Sequence, residues 1–476
     1  MTVDSNIISA IKGLSADSRM VRKNWLFAAL PGKHNDGRLF LKDAINNGAS
    51  VILAPEGTVL PDGKQGVDLI VDADPRRRFA LLAAAFYPLQ PKTVVAVTGT
   101  NGKTSTVTFA SQLWDGLGHH SASLGTLGIV SRITMKKGGL TTPDPVTLMA
   151  EIADLAAAGI THLAMEASSI GIDQRRLDGV KLSAAAFTNF THDHLDYHGD
   201  METYYACKKR LFDTLLPQDK PAIICTDDPA GEQLSRVIKQ PMIRIGSASD
   251  CEIRLDKQEP TPFGQILDLT VKGRAYKVNL PLVGLFQGMN ALTAAGIVMG
   301  TDNVSFDDLI PYIEKLAPVD GRMQLVDGHP DKAAVYVDYA HTPHGLETVL
   351  TSVRPHTKGR LVVVFGCGGD RDKSKRSVMG GIATKLADLA IITDDNPRSE
   401  DPAQIRAEIR AGAPNSQEIG DRRSAIREGV AGLDAGDVLV IAGKGHEQGQ
   451  IIGDHVLPFD DVKEAQGAIE ELKRAV

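Results

Sequence analysis

Val97-Thr98-Gly99-Thr100-Asn101-Gly102-Lys103-Thr104 is the stretch that decides how this chain folds. The apolar run Thr93 to Val97 before it predicts a buried strand, and Ser105 to Leu113 after it predicts the first turns of a helix. A glycine-rich turn between a parallel strand and a helix N-terminus is a phosphate cradle, because backbone N–H groups and the helix dipole point at the anion. Lys103 can then reach the outer phosphates, and the Thr104 hydroxyl can ligate Mg²⁺. The general pattern G-x-x-x-x-G-K-[ST] is incomplete, since its first glycine would fall on Val97. The plain alternative is a tight turn with a surface lysine. The order strand, glycines, Lys-Thr, helix favours a nucleoside triphosphate.

Working outward, 476 residues are too many for one core, and two or three domains are expected. Residues 1 to about 90 alternate short strands, such as Ser50 to Ala54 and Leu69 to Val71, with helical stretches. They end at the proline-rich linker Tyr87 to Lys92. Apolar strands recur after the phosphate loop at His162 to Met165, Ala184 to Phe187 and Ala222 to Cys225, the pattern of a parallel sheet with crossover helices. Residues 251 to 283 alternate apolar and polar with turns at Thr261-Pro262-Phe263-Gly264 and Lys272-Gly273, which predicts antiparallel strands. A helix is expected from about Asn290. The alternation restarts near Pro318 to Arg322, with strands at Ala334 to Asp338, Leu361 to Gly366, Leu389 to Thr393 and Val438 to Ala442.

Composition excludes several classes. A net charge of −7 does not suggest a nucleic-acid partner. Cys207, Cys225, Cys251 and Cys367 form no C-x-x-C pair, so neither a disulfide framework nor a zinc ribbon is expected. A reducing cytoplasm fits that usage. No signal peptide and no apolar run of membrane-spanning length is evident.

Thr188 to Asp200 places His192, His194 and His198 among several carboxylates, just after a strand. One reading is a Mg²⁺ site beside the phosphate loop with His194 as a ligand. A second is a zinc hydrolase, because His192-x-His194-x-Asp196 nearly matches a metal signature whose last histidine is displaced to His198. The nucleotide loop upstream favours Mg²⁺, which wants mostly oxygen ligands. Glu166, ending another strand, could supply a carboxylate. Lys208 lies in a basic helical run that alone reads as a solvated face. Three further loops, Gly366 to Asp372, Asp394 to Arg398 and Gly443 to Glu447, each follow a strand. Such carboxyl-end loops form the ligand crevice of open α/β sheets. Their guanidiniums, carboxylates and amide suit a zwitterionic amino acid, unless they are surface loops with unrelated ion pairs.

These segments in this order resemble the Mur ligases of peptidoglycan synthesis over nearly the whole chain. The resemblance rests on Thr98 to Thr104, Glu166-Ala167-Ser168-Ser169, Asn189 to Gly199, Asn290, Gly321-Arg322-Met323 and Asp338 to Pro343. Within the family it is nearest to the ligases that add the third amino acid. Asp17-Ser18-Arg19 and His34 to Arg38 are similar to their UDP-sugar-binding domain, and Leu140 to Asp144 to their loop for the nucleotide-sugar peptide. It implies three α/β domains. These are a UDP-sugar-binding domain over 1–90, a central parallel-sheet ATP-binding ligase domain over 91–319 and a Rossmann-like amino-acid-binding domain over 320–476.

The resemblance further implies an ATP-dependent amide ligase. The γ-carboxylate of UDP-N-acetylmuramoyl-L-alanyl-D-glutamate would attack the γ-phosphate of ATP, and an amine of meso-diaminopimelate would capture the acyl phosphate. Gly99, Thr100, Asn101, Gly102, Lys103, Thr104, Asn290 and Arg322 would bind the nucleotide. Lys103, Glu166, His194 and Lys208 would be catalytic, with Thr104, Glu166, His194 and a carbamate of Lys208 holding two Mg²⁺ ions. Ser18, Thr141, Thr142, Ser168, Gln174 and Arg176 would bind the nucleotide-sugar dipeptide. Arg371, Asp395, Asn396, Arg398, Gly443 and Glu447 would bind diaminopimelate. Arg398 goes with diaminopimelate because it pairs with the distal carboxylate and would repel the ammonium of lysine. Two departures stand out: Ile170 where the family commonly has histidine, and Gln287 where asparagine is common. A lysine-adding or folylpolyglutamate-type relative, a zinc hydrolase and a non-catalytic nucleotide-sugar-binding protein are the competing readings. A cytoplasmic monomer is expected.

Overall fold

The computed structural model describes residues 5–32, 35–61 and 66–475. Of the residues named above, His34 lies outside them. Two compact units emerge: residues 1–103, 110–243 and 297–303, and residues 104–109, 244–296 and 304–476.

The first unit begins with a four-stranded parallel sheet, Gly13–Ser15, Trp25–Ala28, Ala49–Pro55 and Asp68–Asp72. The helix Pro75–Phe86 lays Phe79 and Leu82 against Leu26, Val51 and Leu53. Its start is set by Asp74, whose carboxylate accepts from Arg77 N, and by Pro75 in the first turn.

Next comes the sheet that carries the phosphate loop. Ala222–Cys225, Ala184–Phe187, Thr93–Thr98, His162–Glu166 and Ser121–Gly125 lie side by side and parallel. Thr93–Thr98 is buried along its whole length, as its Val-Val-Ala-Val core requires of a strand covered on both faces. Its register sets Val97 beside Glu166 and Thr98 beside Phe187. Three strands therefore end together, and the loops leaving them must meet.

In the second unit Ile253–Thr261, Gly264–Val271 and Arg274–Leu280 form the expected antiparallel hairpins. Lys272 and Gly273 both hold positive φ, 48° and 84°, as a two-residue hairpin loop with the right twist demands. The helix expected from Asn290 instead begins four residues earlier, as Phe286–Asp302. The third part is a six-stranded sheet in the order Gln324–Val326, Ala334–Asp338, Val438–Ala442, Leu361–Phe365, Leu389–Ile392 and Gln417–Glu418. Apolar clusters cover both of its faces. Among the described residues no helix is long and apolar enough to cross a membrane.

Candidate active site

The phosphate loop is a left-handed turn held from below. Gly99 and Gly102 have φ of 148° and 84°, and Gly102 caps the helix Lys103–Gly116. A Cβ on Gly99 would collide with Thr188 Oγ1. The segment after Ala184–Phe187 clamps the loop. Asn101 N donates to Asn189 Oδ1 at 2.8 Å, Thr188 Oγ1 donates to Asn101 O at 2.6 Å, and Thr100 N donates to Asn189 O at 2.9 Å. Lys103 Nζ folds back over the loop and donates to the carbonyls of Gly99 (2.9 Å) and Thr100 (2.8 Å).

Lys208 is not on a solvated helix face. It is 1% exposed, and its Nζ donates to Gly99 O at 2.8 Å and sits 4.5 Å from the centre of the Tyr204 ring. Burial, reinforced by the nearby Lys103, drives its pKa well below that of an ordinary lysine. The tertiary fold overrides the basic composition of the run.

Glu166 is buried at the end of its strand. Thr126 N donates to its Oε1 at 2.8 Å and Thr126 Oγ1 to its Oε2 at 3.3 Å. Gly125 permits that approach, since a Cβ there would overlap Glu166 Oε1. Around it the expected dipeptide residues form one network. Thr142 Oγ1 donates to Glu166 O (3.0 Å), Ser168 N donates to Thr142 Oγ1 (3.0 Å), and Thr126 and Thr141 share a hydroxyl contact of 3.1 Å. Arg176 Nη1 donates to Thr142 O at 2.5 Å and its Nη2 to Gln174 Oε1 at 2.7 Å. Burial lowers the pKa of Arg176. A cavity of about 180 Å³ opens beside this network, lined by Gly125, Leu140, Pro143 and Asp144 among others. Ser18 opens a short 3₁₀ turn in the first domain, and its carbonyl accepts from Asn47.

The histidine run does not gather into a zinc shell. His198 turns inward, with Nε2 3.0 Å from Ser169 Oγ and its ring stacked on Tyr204. His192 is exposed, and His194 Nε2 faces Asp193 at 3.6 Å. His194 takes a left-handed φ of 52°, and partial desolvation, with Lys103 and Lys208 nearby, lowers its pKa. Among the described residues these three histidines with Asp196 form no metal-binding group.

Asn290 and Gln287 pair inside the second unit, with Asn290 Nδ2 donating to Gln287 Oε1 at 2.9 Å. The departure at Gln287 thus bears directly on the expected adenine contact. Arg322 Nη2 donates to Thr104 Oγ1 at 3.3 Å and its guanidinium lies 4.5 Å from the centre of the Tyr339 ring. Gly321 must be glycine there, with φ 65° and no room for a Cβ against His446 N.

The three carboxyl-end loops of the C-terminal sheet do converge. Asn396 Nδ2 donates to Glu447 Oε2 at 3.0 Å, and a Cβ on Gly443 would lie 2.8 Å from Asp395 Oδ2. Arg398 Nη1 donates to Gly369 O at 2.8 Å, tying the second loop to the first. Arg371 lies exposed on the first loop. Lys444, overlooked in the sequence, is at the centre. It is 0% exposed, and its Nζ donates to Asn396 Oδ1 at 2.8 Å and pairs with Glu447 at 3.3 Å. Thr126 was overlooked too. A threonine one residue past Ser121–Gly125 carries no signal of its own until the register sets it against Glu166.

A phosphate loop beside a buried lysine and carboxylate, and three loops of both charge signs gathered at the edge of the C-terminal sheet, are the parts of a nucleotide-dependent ligase. Family models match three stretches of the chain. "Mur ligase family, catalytic domain" matches residues 10–87, "Mur ligase middle domain" 97–298 and "Mur ligase, glutamate ligase domain" 321–445. The chain belongs to the Mur ligase family, with its three α/β domains. It is 52% identical over 471 residues to a UDP-N-acetylmuramoyl-L-alanyl-D-glutamate--2,6-diaminopimelate ligase of Caulobacter vibrioides, covering 97% of this chain and 96% of that one. A protein of the same name from Agrobacterium fabrum is 47% identical, covering 97% and 94%. A solved structure of a ligase of that name superposes with a TM-score of 0.71 at 33% identity, covering 97% and 95%. At 17% identity, the ADP complex of the MurF ligase from Thermotoga maritima shares the fold, with a TM-score of 0.64 and coverage of 99% and 100%.

Proposed function

We propose that this protein joins meso-2,6-diaminopimelate to UDP-N-acetylmuramoyl-L-alanyl-D-glutamate at the expense of ATP. The observation that carries the reading is the group formed by Asp395, Asn396, Arg398, Gly443 and Glu447 at one sheet edge. Asn396 and Glu447 suit the α-amino-acid end of the substrate. Arg398 suits a second carboxylate at the far end, which diaminopimelate has and lysine lacks. Arg371, exposed on the neighbouring loop, adds a cation to the same edge.

The backbone N–H groups of Gly99 to Gly102 and the Lys103 ammonium hold the triphosphate and stabilise charge on the phosphoryl group in transit. Asn290 takes the adenine and Arg322 the phosphates. Thr141, Thr142, Ser168, Gln174 and Arg176, with Ser18 of the first domain, hold the nucleotide-sugar dipeptide so that its γ-carboxylate meets the γ-phosphorus. The P–O bond to ADP breaks as the acyl phosphate forms. The amine of diaminopimelate then attacks the acyl carbon, phosphate leaves, and the amine proton is lost.

The Thr104 hydroxyl and the buried Glu166 carboxylate are hard oxygen donors that fit Mg²⁺, with His194 as a further ligand. When bound, Mg²⁺ supplies charge neutralisation between two anions. Lys208 fits a carbamate that would serve a second ion. Burial drives its amine well below an ordinary lysine's pKa, which favours the neutral form that adds to CO₂ with loss of one proton. The domain limits 1–90, 91–319 and 320–476 complete the reading, with a single cytoplasmic chain carrying all three substrates' residues.

Trapping tests the chemistry. With ATP, Mg²⁺ and the dipeptide substrate but no amino acid, hydroxylamine should yield a γ-hydroxamate and ADP in equal amounts. Hydroxamate without ATP would point to a hydrolase, and neither product would point to a binding protein.

A further inference from the structure

At the end of the central sheet away from the phosphate loop, three side chains from distant parts of the sequence converge. His162 opens the strand His162–Glu166, His119 follows the helix Lys103–Gly116, and Asp302 closes the helix Phe286–Asp302. Their donor atoms all lie within 4.8 Å of one another. His162 Nε2 stands 3.1 Å from Asp302 Oδ1, and His119 Nε2 stands 3.9 Å from Asp302 Oδ2. A tetrahedral ion with ligand bonds of about 2.0–2.1 Å spaces its ligand atoms roughly 3.3 Å apart. The His162–Asp302 spacing is close to that value, and His119 stands farther off, against the other carboxylate oxygen.

Thr161 Oγ1 lies 3.2 Å from His120 O and 2.8 Å from His162 Nδ1, so it can serve the outer nitrogen of His162 while Nε2 faces Asp302. With its ring proton on Nδ1, shared with Thr161, His162 would offer the Nε2 lone pair to an ion. Asp302 Oδ2 is buried, with the Trp114 indole N–H beside its carboxylate. A proton on His162 Nε2 would answer its contact with Asp302 Oδ1 and leave His119 Nε2 at 3.9 Å from Asp302 Oδ2. The His119 and His162 rings lie 4.0 Å apart, where two imidazoliums would repel. A divalent ion answers all three groups at once. Thr161 Oγ1 stands where the outer N–H of a metal-bound His162 would need an acceptor, and the Trp114 ring, 5.1 Å from His162, closes one side.

We propose that His119, His162 and Asp302 form a zinc site separate from the nucleotide centre, with water completing the shell. Two nitrogens and one carboxylate are a zinc donor set and a poor one for Mg²⁺. His162 pairs with Thr93 and Glu166 with Val97, so four residues of strand, about 13 Å, separate this ion from the catalytic end. Bound zinc would tie the start of a central strand to the end of the helix that carries Asp302, without touching substrate.

The test is calorimetric titration of chelator-stripped full-length protein with Zn²⁺ in excess Mg²⁺, with Co²⁺ absorption as a second probe. One Zn²⁺ per chain is expected, together with the visible bands of tetrahedral Co²⁺. Asp302→Asn and His119→Ala should each weaken Zn²⁺ by about tenfold or more. Partly exposed His119 makes His119→Ala the variant that keeps the fold, checked by an unchanged circular dichroism spectrum. Absence of Zn²⁺ uptake would overturn the proposal in favour of a proton-bridged His162–Asp302 pair. Unchanged affinity in both variants would overturn it by placing the ion elsewhere.

Discussion

Arg398 acts from a backbone conformation that arginine rarely adopts. Its φ of 52° costs on the order of 1–2 kcal/mol. Two backbone bonds hold it there, Arg398 N to Ile451 O at 3.0 Å and Gly453 N to Arg398 O at 2.7 Å. Such strain is kept where a side chain must be aimed. Arg398→Ala should raise KM for diaminopimelate by about a hundredfold, the loss of a charge-assisted carboxylate contact, and Arg398→Lys should restore only part. Lys444→Met leaves Asn396 Oδ1 without its ammonium donor. Steady-state kinetics should show KM for the amino acid rising about tenfold, with KM for ATP unchanged. The contrast between these two residues explains what was readable. Arg398 is singled out by the family resemblance, and charge matching agrees with it. Lys444 is not, because a lysine between glycines reads as exposed until the surrounding strands bury it. Lys208 belongs with Lys444: its letters describe a wet helix face, and only the packing of that helix under Gly99 makes it a buried amine.

At the scale of elements, register does the assembling. Thr98, Glu166 and Phe187 end neighbouring strands together, so the phosphate loop, Glu166 and Thr188 are brought side by side by backbone pairing. Gly99 is where that assembly is tightest. Gly99→Ala should abolish ATP binding, read with a fluorescent nucleotide, because φ is 148° and the new methyl would overlap Thr188 Oγ1. The remaining fold should keep its melting temperature to within a few degrees. Apolar runs made these strands legible in advance, and Lys272-Gly273 made the hairpin legible through its turn chemistry. The start of Phe286–Asp302 was hidden by Gly288, which reads as a helix breaker. The structure keeps glycine there for packing, since a Cβ would lie 2.6 Å from Gln258 Nε2.

For the whole molecule, the C-terminal sheet is locked by an ion pair with both partners fully buried. Arg422 Nη2 meets Asp461 Oδ2 at 2.6 Å and Ala442 O at 3.1 Å, joining two helix starts to a central strand. Asp461→Asn should destabilise by about 3–5 kcal/mol in denaturant titration, and Arg422→Met with Asp461→Leu should recover much of that. Stability should also fall in acid. Burial, then Arg322, lowers His446 from 6.5 to about 4. Between those values the unfolded chain binds a proton that the folded chain does not, so stability drops as pH falls through that window. His446→Gln should flatten the dependence of the melting temperature on pH there. Proline breaks near Pro88 and Pro318 suggest three α/β segments, whereas the structure divides into two compact units that the sequence does not announce. That division runs through Lys103–Gly116 and Phe286–Asp302, helices that read as continuous in sequence.

The most direct measurement is phosphate release by the purified protein with ATP, Mg²⁺ and UDP-N-acetylmuramoyl-L-alanyl-D-glutamate. Meso-diaminopimelate, L-lysine and L-glutamate would be supplied in parallel, and each product weighed by mass spectrometry. Release with diaminopimelate alone, and a product heavier by one diaminopimelate residue, is the expected result. Turnover with lysine or glutamate in its place would contradict the account and with it the role given to Arg398.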